Sequence, residues 1–316
     1  MTSEVSRNLN SPIVVFGPLR GGTTLIRLML DEHPSLSVPG ESDYLVDYIH
    51  ATKDGWHYDI DRLTASRIFR DSGLTVPEGK SGEDTLRDMV AQIGRQGGGR
   101  PVLMLHRGLS KFLRLMPDAQ VVRMLRDPRD VARSSIGMGW AGNLYYGLGP
   151  WLETESAWRE FETAHPQASR HTVRYEDLVA EPEKNLGEIC SFLNIAYDPA
   201  MLSYPQRTSY SAPDPSLSYQ WKRKLSEREV QLVEARAGKI WDDCGYERSG
   251  LPAAKIGVAS NNWLRLQNRT AIWRHMSERY GVVDPILRGF GRRLGMRRLE
   301  RSAAARMSEV DRRHLK

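Results

Sequence analysis

The chain has 316 residues, of which 40% are hydrophobic and 27% charged, and carries a formal net charge of +6. That is the composition of a soluble globular protein, long enough to bury one full core plus extra elements. It contains no run near the roughly 18 apolar residues of a membrane span, and its two cysteines, Cys190 and Cys244, lack metal-site or redox spacing.

The first residues, MTSEVSRNLNS, are polar and lack the apolar stretch of a signal peptide, so residues 1–11 are expected to be a flexible N-terminus. With the cysteine usage, this points to a reducing cytoplasm. Residues 14–30 read VVFGPLRGGTTLIRLML and are the most informative stretch. A short β-branched strand, Ile13–Phe16, runs into a turn rich in Gly and Pro, and an apolar helix follows over Thr23–Glu32. Strand, glycine loop and helix start together form an anion cradle, because unpaired N–H groups and the helix dipole favour negative charge there. The spacing Gly17-x4-Gly22-Thr23-Thr24 is that of a nucleotide-binding P-loop with Thr23 where such loops carry Lys. Arg20 is the cation within the turn. The bland alternative is that the glycines only make the turn.

Further along, strands are expected at Leu36–Val38, Val102–Leu105, Gln120–Leu125 and His171–Arg174. Helices are expected at Asp43–His50, Thr85–Gly94, Pro128–Ile136, Glu183–Leu193 and Glu227–Trp241. Such alternation predicts an α/β fold: a P-loop-like doubly wound parallel sheet with helices on both faces. The segment QVVRMLRDPRDVARSS (120–135) supplies a second anion signal. Asp127 fits an N-cap, Pro128 the first helical position, and Arg126 leaves the strand end beside them. Ser134 is two turns down that helix. Taken alone, the Arg-Asp-Pro-Arg-Asp run also reads as a surface ion-pair cluster. Gly137 to Trp151, rich in Gly and aromatics, is expected to be a lid or substrate loop. Its Trp140, Tyr145, Tyr146 and Trp151 are candidates to stack on an acceptor or to pack.

The loop PLRGGTT (18–24) and the run RDPRDVARS (126–134) together resemble the 5′-phosphosulfate and 3′-phosphate motifs of sulfotransferases that use 3′-phosphoadenosine 5′-phosphosulfate. Residues 173–195 and 221–246 resemble that family's later strand–turn–helix and closing helix. Arg20-Gly21 stands where the soluble phenol-sulfating branch has Lys-Ser, so the chain is nearer the carbohydrate and protein-tyrosine branches of a bacterial-type enzyme. The soluble branch's Gly-x-x-Gly-x-x-Lys segment is absent, and Lys222 and Arg223 are positional substitutes. The resemblance implies that Arg20, Gly21, Gly22, Thr23 and Thr24 bind the 5′ group. It also implies that Arg126 and Ser134 read the 3′-phosphate, and that Tyr175 lies near the adenine. Glu41, in VPGESDYL, is implied as the general base, with Arg20 beside the breaking bond. His106 is the rival base, since the soluble branch uses a His after a corresponding strand, and His33 belongs to a helix end. No metal is expected. The acceptor is a hydroxyl, carbohydrate or glycolipid rather than phenol. The alternatives are a P-loop-like nucleotide kinase and a non-catalytic anion- or nucleic-acid-binding protein; no nucleic acid is expected as partner.

A sulfotransferase domain is expected over 12–250 and a helical basic extension over 251–316. Trp263, Leu266, Thr270, Trp273 and Tyr280 mark a helix face at heptad-like spacing. From Pro285 to Lys316 there are ten Arg or Lys against three acids, so this tail carries +7 and the remainder is close to −1. Phe290, Leu294, Ala303 and Met307 alternate with Arg pairs, as in a basic amphipathic helix that Gly289, Gly291 and Gly295 weaken. Such a tail suits an anionic membrane surface, an acidic acceptor, a partner subunit or plain solvation.

Overall fold

A computed structural model of the chain describes residues 11–314, so the expected flexible N-terminus lies outside the described residues except for Ser11. Five strands form a parallel sheet in the order β2-β5-β1-β6-β7. They are β1 (Ile13–Phe16), β2 (Leu36–Ser37), β5 (Arg100–Leu105), β6 (Gln120–Leu125) and β7 (Arg170–Arg174). The central strand β1 pairs with β5 through Ile13↔Val102 and with β6 through Ile13↔Gln120. Its four residues are all fully buried, as parallel strands covered on both faces require.

Alternation along these strands divides the core in two. Val14, Phe16, Leu103 and Leu105 point to one face, beneath the helices Gly82–Gly97, Leu109–Leu115 and Gly149–Ala164. Ile13, Val15, Val102 and Met104 point to the other, beneath Thr23–Asp31, Tyr175–Ala180 and Pro182–Leu193. The doubly wound architecture expected from the alternating pattern is therefore present.

Three expected elements differ. The helix expected over Asp43–His50 stops at Asp47, and an antiparallel hairpin of β3 (Ile49–Thr52) and β4 (Gly55–Tyr58) follows. Lys53-Asp54 makes the turn, closed by the Thr52↔Gly55 pair, with Gly55 at φ 112°. Helical periodicity was outweighed there by β-branched and aromatic residues bounded by turn chemistry. The expected lid, Gly137–Trp151, holds a short helix, Leu144–Gly147, capped by Asn143, and then the start of the helix Gly149–Ala164. Trp151, Trp158 and Phe161 of the latter are core residues, so Trp151 does not face an acceptor. The helix from Glu227 ends at Ala237 because Gly238 takes φ 54°, and a 3-10 segment continues to Cys244.

By packing, the described residues form two units: 11–131, 150–225 and 238–247 in the first, and 132–149, 226–237 and 248–314 in the second. The sheet belongs to the first. The second contains the helices Val258–Tyr280, Val283–Arg293 and Arg297–His314. The long helix buries Leu264 and sets Ala271 and His275 against Gly142 and Gly139, where any Cβ would collide with them. Trp263, Leu266 and Trp273, on the face that the heptad-like spacing marks, are exposed. Small residues opposite the other face allowed the closer approach. The basic tail is an αα-hairpin rather than one amphipathic helix. Gly295 (φ 68°) makes the turn, and a Cβ on Gly291 would lie 2.8 Å from the Glu300 backbone nitrogen. The glycines that weaken a single helix are what permit two packed ones.

Candidate active site

Strand order reverses at β1: the chain leaving it runs to β2, beyond β5 on one side, and the later crossover from β5 carries it to β6 and β7 on the other. Ligands of open α/β sheets bind outside the strand carboxyl ends at such a point. The β1 exit is the loop Gly17–Gly22. A Cβ on Gly17 would lie 2.7 Å from Met124 Cβ, so glycine lets the ends of β1 and β6 close together. Gly22, at φ 98°, is the N-cap of Thr23–Asp31, and no side chain caps that helix start. A Cβ on Gly22 would overlap the Tyr175 ring. The glycines do make the turn, as the bland reading held, but they make one that leaves a helix N-terminus uncapped at the switch point.

Two cations meet there. Arg20 sits in the loop with the left-handed φ of 68°, rare outside glycine. Arg126, at the end of β6, donates from Nη1 to the Arg20 carbonyl at 3.1 Å and from Nη2 to the Leu217 carbonyl at 3.3 Å. Its guanidinium lies 4.0 Å above the centre of the Tyr175 ring, so Tyr175 acts as a platform for it. Arg126 Nε is buried with no acceptor. Burial holds Arg20 below the ordinary arginine range, and the neighbouring positive charge of Arg126 pushes it the same way. Like charges held together, a buried donor lacking an acceptor and an uncapped helix start fit an anion bearing several phosphate-like oxygens.

The Arg-Asp-Pro-Arg-Asp run is not a surface cluster. Asp127 is 0% and Arg129 2% exposed. Arg129 donates to both Asp127 carboxylate oxygens, from Nε at 3.0 Å and Nη2 at 2.7 Å. Its guanidinium stacks 3.5 Å from the centre of the Trp221 ring. Glu176 accepts from the Asp127 backbone N–H at 3.0 Å and from the Tyr246 hydroxyl at 2.8 Å. Burial pushes the Glu176 carboxyl above its ordinary value. Asp130 accepts from the backbone N–H groups of Gln220 and Trp221 at 3.1 and 2.8 Å. This network pins the strand end that carries Arg126. Asp130, Glu176 and Tyr246 were not singled out for this; partners 49 to 91 residues apart leave no local signal.

The candidate bases lie on the β5 side. Glu41 follows Gly40 and forms an isolated parallel bridge with Met104, so its backbone extends the sheet edge while its side chain is exposed. His106 follows β5 and is 7% exposed. Its Nδ1 lies 2.8 Å from Asp43 Oδ2, and its Nε2 lies 3.3 Å from the Thr23 hydroxyl. Asp43 also accepts from the His106 backbone N–H at 2.8 Å. Burial pushes the Asp43 carboxyl up, but the His106 hydrogen bonds and Arg107 outweigh it and hold Asp43 below its ordinary value. With Asp43 ionised, the proton belongs on Nδ1, which leaves Nε2 to accept from Thr23. The resulting chain, Asp43–His106–Thr23, ties β5 to the anion loop. Arg107 pairs with Asp47 at 2.5 Å and is held charged, chiefly by that hydrogen bond.

Thr24 is half-buried on the first turn of the loop helix, next to Thr23. Ser134 lies on the helix Pro128–Gly137, in the stretch that belongs to the second unit. Lys222 is exposed beside the Tyr219 ring, and Arg223 donates to the Ser216 carbonyl at 2.6 Å. His33 accepts from Ser35 N–H at 3.1 Å and lies 2.8 Å from the Ala196 carbonyl, a turn-closing role.

Residues 12–199 match the Sulfotransferase family. Protein-tyrosine sulfotransferase 1 of Danio rerio is 27% identical over 213 residues, 63% of this chain and 58% of that protein. Nodulation protein NoeE of Sinorhizobium fredii (strain NBRC 101917 / NGR234) is 24% identical over 305 residues, 78% of this chain and 69% of that one. The chain thus spans little more than half of the fish protein's length. Among solved structures, the sulfotransferase domain of the Synechococcus PCC 7002 olefin synthase superposes with TM-score 0.58 at 20% identity, covering 77% of this chain and 96% of that one, a likeness of fold. The match covers the anion loop, both candidate bases, the Arg126 strand end and Tyr175, and the chain belongs to the sulfotransferase family of enzymes.

Proposed function

We propose that this chain moves a sulfuryl group from 3′-phosphoadenosine 5′-phosphosulfate to an acceptor hydroxyl, with a carbohydrate or glycolipid as the favoured acceptor. Family membership supports the donor, and the observation that carries the site is the pairing of Arg20 and Arg126 beside an uncapped helix start. When bound, the donor supplies the sulfuryl group and leaves as adenosine 3′,5′-bisphosphate. The N–H groups and hydroxyls of Gly21 to Thr24 hold the 5′ end, and Arg20 offsets the charge that grows on the departing oxygen. Arg126 and Ser134 read the 3′-phosphate, and Tyr175 fixes the Arg126 guanidinium in place.

Glu41 takes the acceptor proton. Its exposed carboxylate at the β5 edge is open to an incoming hydroxyl, whereas His106 Nε2 is engaged by Thr23. His106 and Asp43 then act as positioning residues that orient the loop hydroxyl. His106 is the second candidate, since a rotation of Thr23 would free Nε2. The Danio rerio relative's name favours a second acceptor reading, a tyrosine phenol. Cys190 and Cys244 are free and buried, their thiols pushed up by burial to about 11 and about 12, so neither is a candidate nucleophile.

Calorimetric titration tests the donor. Adenosine 3′,5′-bisphosphate is expected to bind far more tightly than adenosine 5′-phosphate or ATP, with no dependence on Mg²⁺. Equal affinity for the first two would overturn the reading. Turnover of labelled donor with a panel of oligosaccharide, glycolipid and tyrosine-peptide acceptors separates the acceptor classes.

A further inference from the structure

The second unit carries a surface that the transfer reaction does not use. On the helix Val258–Tyr280, Trp263, Leu266 and Trp273 follow i, i+3, i+10 spacing and share one face. They are 61%, 53% and 44% exposed, while Leu264 on the opposite face is buried. On the helix Val283–Arg293, Val283, Ile286 and Phe290 form a second exposed stripe, which Leu294 continues. Between the two helices runs a groove of about 730 Å³, lined by Arg269, Trp273, Ile286, Phe290, Arg292 and Arg293 among others. From Val258 to Met307 there are eleven Arg, no Lys and three acids. One of the acids, Asp284, is already paired with Arg306 at 2.6 Å.

We infer that this two-helix face docks on an anionic phospholipid bilayer. Trp and Phe suit the boundary between headgroups and acyl chains, where an apolar ring is buried and its polar edge stays wet. Arg matches the phosphodiester groups at that depth, because its planar fork binds them bidentately. No helix among the described residues is long and apolar enough to cross a membrane, so the face lies on the bilayer rather than through it. A second copy is a poor occupant, since pairing would oppose two strongly cationic faces. Duplex nucleic acid would satisfy the arginines but leave Val283, Ile286 and Leu294 against a charged backbone.

Sedimentation of the full chain with vesicles tests this at physiological salt. Vesicles of phosphatidylcholine with one part in three phosphatidylglycerol should bind about tenfold or more tightly than phosphatidylcholine alone. The double variant Trp273→Ser/Phe290→Ser should lose about tenfold of that binding, with an unchanged thermal melt because both side chains are exposed. Arg292→Gln/Arg293→Gln keeps the apolar stripe and should lose the preference for anionic lipid. It supplies the readout if the first variant fails to fold. No sedimentation with anionic vesicles overturns the inference, as does binding that neither variant alters. Light scattering that shows a dimer abolished by Trp273→Ser/Phe290→Ser, or duplex DNA bound more tightly than the vesicles, likewise overturns it.

Discussion

Two regions of this protein are rich in arginine and use it in opposite ways. At the carboxyl ends of β1, β6 and β7, Arg20 is half-buried, Arg126 lies on Tyr175, and Arg129 is held by Asp127 and stacked on Trp221. In the C-terminal helices, Arg269, Arg288, Arg292 and Arg293 are exposed beside apolar side chains that are exposed as well. The residue type is the same and the local charge is higher in the helices. What differs is the supply of acceptors. At the strand ends, parallel strands bring carboxylates, carbonyls and rings from distant segments to one place, which offsets the cost of desolvating a guanidinium. The helices offer few carboxylates, and their arginines stay in water. Charge count therefore does not locate a site; the neighbours that permit burial do.

The sharpest way to break this comparison lies in the chemistry of the strand-end region. Glu41→Gln keeps shape but cannot take a proton, and turnover is expected to fall about 10²–10⁴-fold with bisphosphate affinity nearly unchanged. Near-native turnover in Glu41→Gln, with turnover abolished in a folded His106→Ala, would transfer the role of base to His106.

The next effect is on stability. Arg129→Leu leaves Asp127 charged and buried without its partner, and is expected to cost about 3–5 kcal/mol in urea unfolding. Arg292→Leu, an exposed arginine in the helices, is expected to change stability by less than about 0.5 kcal/mol. Equal costs would erase the distinction drawn between the two regions.

Smaller effects sharpen it. Arg126→Ala should remove about 1.5–3 kcal/mol of the preference for the bisphosphate over adenosine 5′-phosphate, read by titration. Asp43→Asn should cost a similar amount, about 1.5–3 kcal/mol, at neutral pH. The folded Asp43 carboxyl titrates below its unfolded value, so its stabilisation is present above about pH 4 and is lost as pH falls through the folded value. The gap between native and variant in chemical denaturation should be constant from neutral pH to about pH 4 and close below it. Smallest is Gly291→Val, which drives a side chain into the Glu300 backbone and should cost about 1–3 kcal/mol. Hydrogen exchange should localise that loss to residues 283–307, with bisphosphate affinity unchanged.

Strands were legible where they were buried on both faces. Ile13–Phe16 is an uninterrupted apolar run and Gln120–Leu125 is apolar apart from Gln120 and Arg123, and their observed bounds are those expected. The anion loop was legible for a related reason: a strand, a glycine turn and an apolar helix in immediate succession leave one geometry that is also chemically specific. The hairpin Ile49–Tyr58 and the helix Gly149–Ala164 were not, because each competes with a plausible local alternative that packing decides. The exposed face of Val258–Tyr280 is the clearest case. Its heptad-like spacing marks a helix, which is present, but periodicity marks a face without saying what covers it.

The sequence by itself determined the doubly wound order of elements and the family, because both rest on short stretches whose residues act on their immediate neighbours. It also carried Arg20 and Arg126 as cations beside a helix start, and Glu41 and His106 as the two candidate bases. Only the tertiary structure decided that Asp127 and Arg129 are buried scaffold, that Tyr175 lies under Arg126, and that His106 bridges Asp43 and Thr23. Asp127 and Arg129 are near in sequence, but their burial beneath Glu176 and Trp221 and the other contacts depend on partners tens of residues away, which no short window along the chain contains.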